Sequence, residues 1–302
     1  MTPLAWVYII TSLIFAGALP VAQGALMSEK DVKYRAVLAN ISTSSVAVVI
    51  LAFFVFAVFG YSPPDSWAAI KWQLLGMTLL YAAANLCLFE AVRYISAALF
   101  GLAFTGRVVF VVGASSVILH EALRLLKAVG MLLIVAGVAY ATDKRPKGKD
   151  KPEEEKLLRG LGFALAGTAF FGVANVVDSS IILTFDRPSY LLFRLFLPMA
   201  VVAIVASFRW VKPADVIAYV RPRKRWWPIL ATSSCIVISS ATYMMAYYES
   251  RQMGFLSGVH QLSLFVTIGL SAYRNKKERK SSKAYFAAGV VVLIGVYVMY
   301  QG

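Results

Sequence analysis

Residues 36–60 read AVLANISTSSVAVVILAFFVFAVFG, a stretch without a single Asp, Glu, Lys or Arg. An α-helix needs roughly 20 apolar residues to cross about 30 Å of hydrocarbon. Lipid offers no partner for an unpaired backbone amide, so a crossing segment must satisfy its own hydrogen bonds. This stretch therefore predicts a transmembrane helix.

Apolar runs of this kind recur from end to end of the chain. Sixty per cent of the 302 residues are hydrophobic and 15% are charged, whereas soluble domains run nearer half apolar and a quarter charged. The first run lacks a preceding Lys or Arg and exceeds a signal-peptide core, so we interpret it as a span. We predict an all-α membrane protein with ten transmembrane helices, near residues 3–26, 36–60, 68–92, 95–118, 122–141, 160–184, 189–208, 227–248, 252–273 and 284–301.

The net charge of +15 does not indicate a nucleic-acid partner, because the basic residues lie in short loops between the apolar runs. Loops that follow the odd-numbered spans are far richer in Lys and Arg than the others. By the positive-inside rule those loops are cytoplasmic, which places both termini outside. We expect a multi-pass protein of the cell membrane, whose partners are the lipid bilayer and a small-molecule substrate, as a monomer or homodimer.

Motifs of enzymatic chemistry are missing from the sequence. Cys87 and Cys235 lie in separate apolar runs, and His120 and His260 are isolated, so no disulfide framework or metal-ligand spacing is present. No HExxH, GxSxG, Walker or GxGxxG pattern occurs. We therefore expect no catalytic residue, no metal and no cofactor.

Residues 143–159 (DKRPKGKDKPEEEKLLR) divide the chain almost in half. Their charge predicts a flexible linker between a first unit, 1–142, and a second unit, 160–302. The two units resemble each other: Phe15–Gln23 (FAGALPVAQ) aligns with Phe170–Asp178 (FFGVANVVD). Five helices per unit force the units into opposite orientations, and inverted repeats of this kind place a substrate site near the membrane midplane.

Several stretches resemble the drug/metabolite transporter superfamily and its ten-helix EamA-like branch. They are Glu90–Leu99 (EAVRYISAAL), the turn at His120 and Glu121, and Gly130–Val138 (GMLLIVAGV). The resemblance implies a small-molecule carrier built from two inverted five-helix repeats. An arginine that usually opens the second helix of each unit is similar to Arg35 and Arg194, which we interpret as residues outside the site that snorkel or contact lipid phosphate.

Ionisable residues at membrane depth are costly and mark functional sites. Arg107 and Asp178 are the deepest, and two interpretations of Arg107 remain open. It either anchors a substrate carboxylate or phosphate, or it forms a structural ion pair with Asp178 or a nearby glutamate. Asp178 is either a proton-coupling residue, because burial disfavours its charge, or a hydrogen-bonded packing residue.

The remaining candidates are neutral or lie nearer the helix ends. Glu90 and Glu249, near the ends of two spans, are further proton-coupling candidates. We predict that the substrate-binding residues are Gln23, Asn85, Arg107, Asn175, Asp178, Tyr243, Tyr247, His260 and Gln261.

These features predict a secondary carrier that exports or exchanges small metabolites, such as amino acids, or drug-like solutes by alternating access. A proton or a counter-solute would drive it. One alternative within the carrier class is antiport of nucleotide sugars or phosphorylated sugars. From other classes, a membrane-embedded lipid-modifying enzyme would need clustered acidic or histidine side chains, and a scaffold would need a soluble appendage.

Overall fold

The structure, a computed structural model, describes residues 3–27, 34–61, 67–118, 124–144, 151–181, 187–209, 211–250, 256, 259–274 and 276–301. Every regular element in these ranges is helical, and a π-helical turn, Val55–Phe59, extends the second helix. The α-helices are α1 Pro3–Met27, α2 Arg35–Phe54, α3 Trp67–Tyr94, α4 Ala97–Thr105, α5 Arg107–Ile118, α6 Leu125–Asp143, α7 Lys151–Ile181, α8 Arg187–Arg209, α9 Pro213–Val220, α10 Arg223–Ser250, α11 Ser263–Arg274 and α12 Lys276–Gln301.

The predicted all-helical membrane protein is confirmed. Within the described ranges, nine helical segments are long and apolar enough to cross a membrane. They match nine of the ten predicted spans, with α4 and α5 together forming the fourth. The other predicted span, 252–273, falls partly outside the described residues, and α11 is its described helix. The count of ten is therefore approximate.

Two helical segments are interrupted by a tight turn. The backbone N–H of Gly106, between α4 and α5, bonds the carbonyl of Ala103 at 3.0 Å. Just before α11, the N–H of Leu262 bonds the carbonyl of Val259 at 2.9 Å. Both bonds span three residues instead of four, as in a 3₁₀ turn, which often marks a functional site inside a helix.

Long helix pairs build the bundle. α1 packs along α10, α3 along α7, and α6 along α12. Two glycines that are aligned in the repeat, one in α1 and one in α7, allow a second helix to approach closely. A Cβ on Gly17 would lie 2.5 Å from the Ser263 carbonyl oxygen of α11, and a Cβ on Gly172 would lie 2.9 Å from the Arg107 carbonyl oxygen of α5.

The second part of the predicted linker is helical rather than flexible. Lys151–Arg159 forms the first turns of α7, where Leu157 is buried and the Arg159 guanidinium lies 5.5 Å from the ring centre of Tyr94. The sequence favours this helix start, because Pro152 suits a first turn and the following glutamates complement the helix dipole. Residues 145–150 lie outside the described ranges, and the division into two units stays a prediction.

Candidate functional site

A cavity of about 840 Å³ lies inside the bundle. Every helix except α9 contributes lining residues, and several of the described polar side chains that line it lie in the middle of apolar spans. Arg107 is the clearest example, because it occupies the centre of the span Ala97–Ile118. The cavity is thus a polar chamber enclosed by segments that hydrophobicity assigns to the membrane.

The structure brings most of the predicted binding residues to this one cavity. Those that line it are Gln23, Asn85, Arg107, Asn175, Asp178, Tyr243, His260 and Gln261. Tyr247 belongs to α10, but its side chain lies outside the described part of the structure. The roles of these residues in binding stay a prediction.

Two of the three predicted proton-coupling residues lie away from the cavity. Glu90 accepts hydrogen bonds from Arg93 Nη1 at 2.9 Å and from the Tyr94 hydroxyl at 3.1 Å, both on its own helix. Glu249, near the end of α10, is exposed. Asp178 alone of the three candidates lines the chamber.

Asp178 is the centre of a compact polar cluster, which we call the acidic centre. Its Oδ2 lies 3.0 Å from Arg194 Nε and 2.9 Å from the Tyr81 hydroxyl. Arg194 Nη2 donates to that hydroxyl at 2.8 Å, and the hydroxyl also lies 2.8 Å from Asn175 Oδ1. Asp178 Oδ1 is buried and has no hydrogen-bond partner among the described residues.

This cluster corrects two sequence-based interpretations. The ion pair suggested between Arg107 and Asp178 is wrong, since the carboxylate pairs with Arg194. Arg194 is not a snorkelling residue at a helix entrance either, because α8 begins at Arg187 and carries Arg194 inward to line the cavity. The geometry follows from packing: α3 contacts both α7 and α8, so Tyr81, about 100 positions away in sequence, bridges the charges of two consecutive helices.

Arg35, the other arginine assigned to snorkelling, is also inside the protein. It is 3% exposed, and its Nη1 donates to the Met27 carbonyl at the end of α1. Arg35 is not among the residues that line the cavity. Its contact joins α1 to the start of α2, so it has a structural role in place of the predicted contact with lipid.

Arg107 forms a second cluster, which we call the basic centre. Its Nη2 lies 3.2 Å from His260 Nδ1, and its guanidinium carbon lies 4.6 Å from the ring centre of Phe104 and 5.7 Å from that of Phe171. The Tyr243 ring meets the His260 ring edge to face at 4.9 Å. A neutral ring and aromatic faces therefore surround this cation.

The hydrogen bonds of the basic centre determine the tautomer of His260. Ser12 Oγ donates its proton to the Ser239 carbonyl at 2.8 Å, so toward His260 Nε2, 3.1 Å away, it can only accept. Nε2 must then carry the proton, and Nδ1 is left to accept from Arg107, which has only donors. A neutral imidazole fits both partners.

Sequence reasoning missed two polar residues of these clusters, Tyr81 and Ser12, and one further polar residue of the cavity, Asn40. Tyr81 and Ser12 are held by partners on distant helices, which no spacing rule reveals. Asn40 lines the cavity and is 1% exposed, and neither atom of its side-chain amide has a hydrogen-bond partner among the described residues. The signal that could have found Asn40 is its place inside an otherwise apolar run, where an unpaired amide is costly.

The described residues contain no group of three or more His, Cys, Asp or Glu side chains that could hold a metal ion. The lining contributed by the described residues, with one carboxylate, several cations and many aromatic rings, suits the binding of an organic solute by hydrogen bonds, charge and ring contacts.

Comparison with known proteins gives a family and a fold. Residues 4–142 match the EamA-like transporter family. No curated protein matches the sequence. One similar solved structure, described as the crystal structure of a protein, is 16% identical, with a TM-score of 0.58 over 95% of this chain and 95% of that one. At that identity the likeness shows the fold alone.

Proposed function

We propose that the chain is a secondary active carrier of small organic solutes, because residues 4–142 match the EamA-like transporter family, a branch of the drug/metabolite transporter superfamily. It resides in the cell membrane and exports or exchanges metabolites. The single observation that supports this most is the cavity of about 840 Å³, lined by polar side chains at membrane depth. A chamber of that size accommodates a metabolite or drug-sized ligand.

We propose that transport proceeds by alternating access between two inverted units. The packing supports this. The repeat makes α1 equivalent to α7 and α3 equivalent to α10. The contact of α1 with α10 therefore has the contact of α7 with α3 as its counterpart in the other unit, and both are observed. The family match at residues 4–142 also coincides with the first unit. Rocking of one unit against the other would open the cavity to each side in turn.

Flux through the cavity is testable by blocking it. We would reconstitute the protein in liposomes and measure counterflow of labelled L-phenylalanine, 3-phenylpropionate, ethidium and UDP-glucose. Ser240 lines the cavity, so Ser240→Trp should abolish flux of the transported probe, because the indole fills the chamber. The matched control is Ser207→Trp at an exposed position of α8, which should leave flux unchanged.

Two results would contradict the carrier proposal. One is the absence of saturable flux for all four probes in folded protein. The other is flux that is equally insensitive to both tryptophan variants. Transport of UDP-glucose alone would favour the nucleotide-sugar antiporter, a candidate supported by the cationic side chains that line the cavity.

We further propose that Asp178 carries a coupling proton, since Glu90 and Glu249 lie away from the cavity. Protonation would release Arg194 from its ion pair, so binding of the proton would alter the contact between α7 and α8. An imposed pH gradient should accelerate flux in the wild type and have no effect in Asp178→Asn. An unchanged response to the gradient in Asp178→Asn would exclude this role.

A further inference from the structure

The charges that line the cavity do not balance. Asp178 is the one carboxylate among the described lining residues, and four cationic side chains line the same chamber: Arg107, Arg124, Lys127 and Arg194. The ion pair at the acidic centre accounts for Asp178 and Arg194. Beyond this pair, Arg107 and Arg124 add positive charge to the described lining.

Among these cations, Arg107 lies deepest in the membrane-spanning part, at the centre of its span. Its hydrogen-bond partner is His260, which is neutral. The Ser12 hydroxyl donates to the Ser239 carbonyl and so accepts from His260 Nε2, which leaves Nδ1 to accept from Arg107. A guanidinium has five N–H donors in a planar fork, and the contact with His260 uses one nitrogen. The other donors of Arg107 have no acceptor among the described residues, and the side chain faces the cavity.

A cation at membrane depth is costly unless a counter-charge or a polar group compensates it. Aromatic faces supply part of that compensation, with Phe104 at 4.6 Å and Phe171 at 5.7 Å from the guanidinium carbon. They also form an apolar wall, since the Phe104 and Phe171 rings meet edge to face at 5.2 Å. No described carboxylate compensates this cation, because Asp178 pairs with Arg194.

Asn40 supplies an independent indication of a polar ligand. Its amide is buried and lines the chamber, and both of its polar atoms are without a hydrogen-bond partner among the described residues. Buried amides in proteins are almost always satisfied. Both atoms have almost no accessible surface, so a solute with polar atoms would satisfy this amide once its side chain turns toward the chamber.

From this geometry we infer that the solute is an organic anion, whose carboxylate or phosphate binds the Arg107 guanidinium while its apolar body contacts Phe104 and Phe171. The inference rests on the proposed carrier function and adds the substrate class. His260 is a positioning residue: it orients the guanidinium through Nδ1 and adds no negative charge that would compete with the solute.

Four labelled probes of similar shape test the charge requirement. They are 3-phenylpropionate, 2-phenylethyl phosphate, the neutral 3-phenylpropionamide and the cationic 2-phenylethylamine. We expect saturable flux for one or both anions and none for the amide or the amine. The first two probes distinguish a carboxylate from a phosphate solute. Arg107→Gln should reduce anion kcat/KM by about 10- to 100-fold, the usual effect of losing a hydrogen bond to a charged group, while the exposed Arg223→Gln should not.

Two isosteric variants at position 260 test the positioning role. His260→Asn keeps a neutral acceptor near the place of Nδ1, so anion flux should persist. His260→Asp puts a carboxylate there, which neutralises Arg107 and competes with the solute, so KM for the anion should rise by about tenfold or more. A structural role for His260 would make the two variants equally active or equally inactive.

The outcomes separate this inference from the carrier proposal. Flux of the amide or the amine that Ser240→Trp blocks, at rates equal to those of the anions, would overturn the anion inference and leave the carrier intact. Anion flux that is unchanged in His260→Asp or in Arg107→Gln would also overturn it. No flux of any probe in folded protein would contradict both.

Discussion

Arg194 and Arg107 line the same cavity, but the protein compensates their charges differently. Arg194 is 3.0 Å from a carboxylate and also bonds Tyr81. Arg107 has a neutral imidazole at 3.2 Å and two aromatic rings. The charges of the acidic centre are therefore balanced without a ligand, whereas the basic centre gains a counter-charge only when an anionic solute arrives.

This difference predicts a large contrast in stability. Arg194→Gln would leave Asp178 as a buried charge without its cation, which costs about 3–5 kcal/mol. Arg107→Gln removes one hydrogen bond from a cation to a neutral partner and leaves no carboxylate unpaired, so its net cost is about 1.5–2 kcal/mol. Unfolding of the purified protein in detergent, measured for both variants, should separate them clearly. Equal losses would mean that Arg107 also has a structural counter-charge.

The double variant Arg194→Gln with Asp178→Asn is the control for this contrast. Both charges are then gone, so most of the stability lost in Arg194→Gln should return, since neutral amides need no ion pair. If the double variant were less stable than either single one, the hydrogen bonds of the acidic centre, rather than its charges, would hold α7 against α8.

A second prediction concerns the backbone that carries the basic centre. A Cβ on Gly172 would lie 2.7 Å from the Phe110 Cβ and 2.9 Å from the Arg107 carbonyl oxygen. Gly172→Ala should therefore push α5 away from α7 and destabilise the protein by about 1–3 kcal/mol. Anion uptake should fall with it, because Arg107 moves with α5.

The matched control is Gly162→Ala on the same helix, where an added Cβ would meet nothing within 4 Å. This variant should be neutral or slightly stabilising, since alanine favours the helix. A similar loss of stability in both variants would show that helix α7 is sensitive to any added methyl group. The close contact of Gly172 with α5 would then not explain the loss.

A third prediction tests the bridge at the acidic centre. Tyr81→Phe removes the hydroxyl that contacts Asp178, Arg194 and Asn175, so stability should fall by about 1–2 kcal/mol. The ion pair itself remains, which is why the effect is smaller than that of Arg194→Gln. Tyr297→Phe, at a 65% exposed position of α12, is the control and should change stability little.

Hydropathy predicted the membrane fold well, because hydrocarbon imposes one requirement on every span. Residues 36–60 contain no charge and lie almost entirely in α2 and its π-helical extension. Depth also identified Arg107 and Asp178 correctly as cavity residues. These predictions depend only on the local sequence and on the cost of burying polar groups. Both can be judged without knowing any tertiary contact.

Pairing within the cavity could not be predicted in the same way. Arg194 and Asp178 meet where α3 packs against both α7 and α8, and sequence alone does not say which helices are neighbours. Ser12 was missed for a similar reason, since its two contacts are with residues more than 200 positions away. Serine and threonine hydroxyls in membrane spans usually bond a carbonyl of their own helix. Ser12 bonds other helices instead, and its neighbours in sequence do not indicate this.

The smallest predicted effect comes from Ser12, at the far end of the basic centre. Ser12→Ala removes the acceptor that keeps the proton on His260 Nε2, so the other tautomer becomes accessible and would turn an N–H toward Arg107. Stability should fall by about 1 kcal/mol, and KM for the anion should rise a few-fold while kcat stays the same. Thr11→Ala is the neighbouring control, because the Thr11 hydroxyl bonds the Val7 carbonyl of its own helix. If the two variants raised KM equally, tautomer control by Ser12 would be refuted, and Arg107 would be held mainly by its aromatic neighbours.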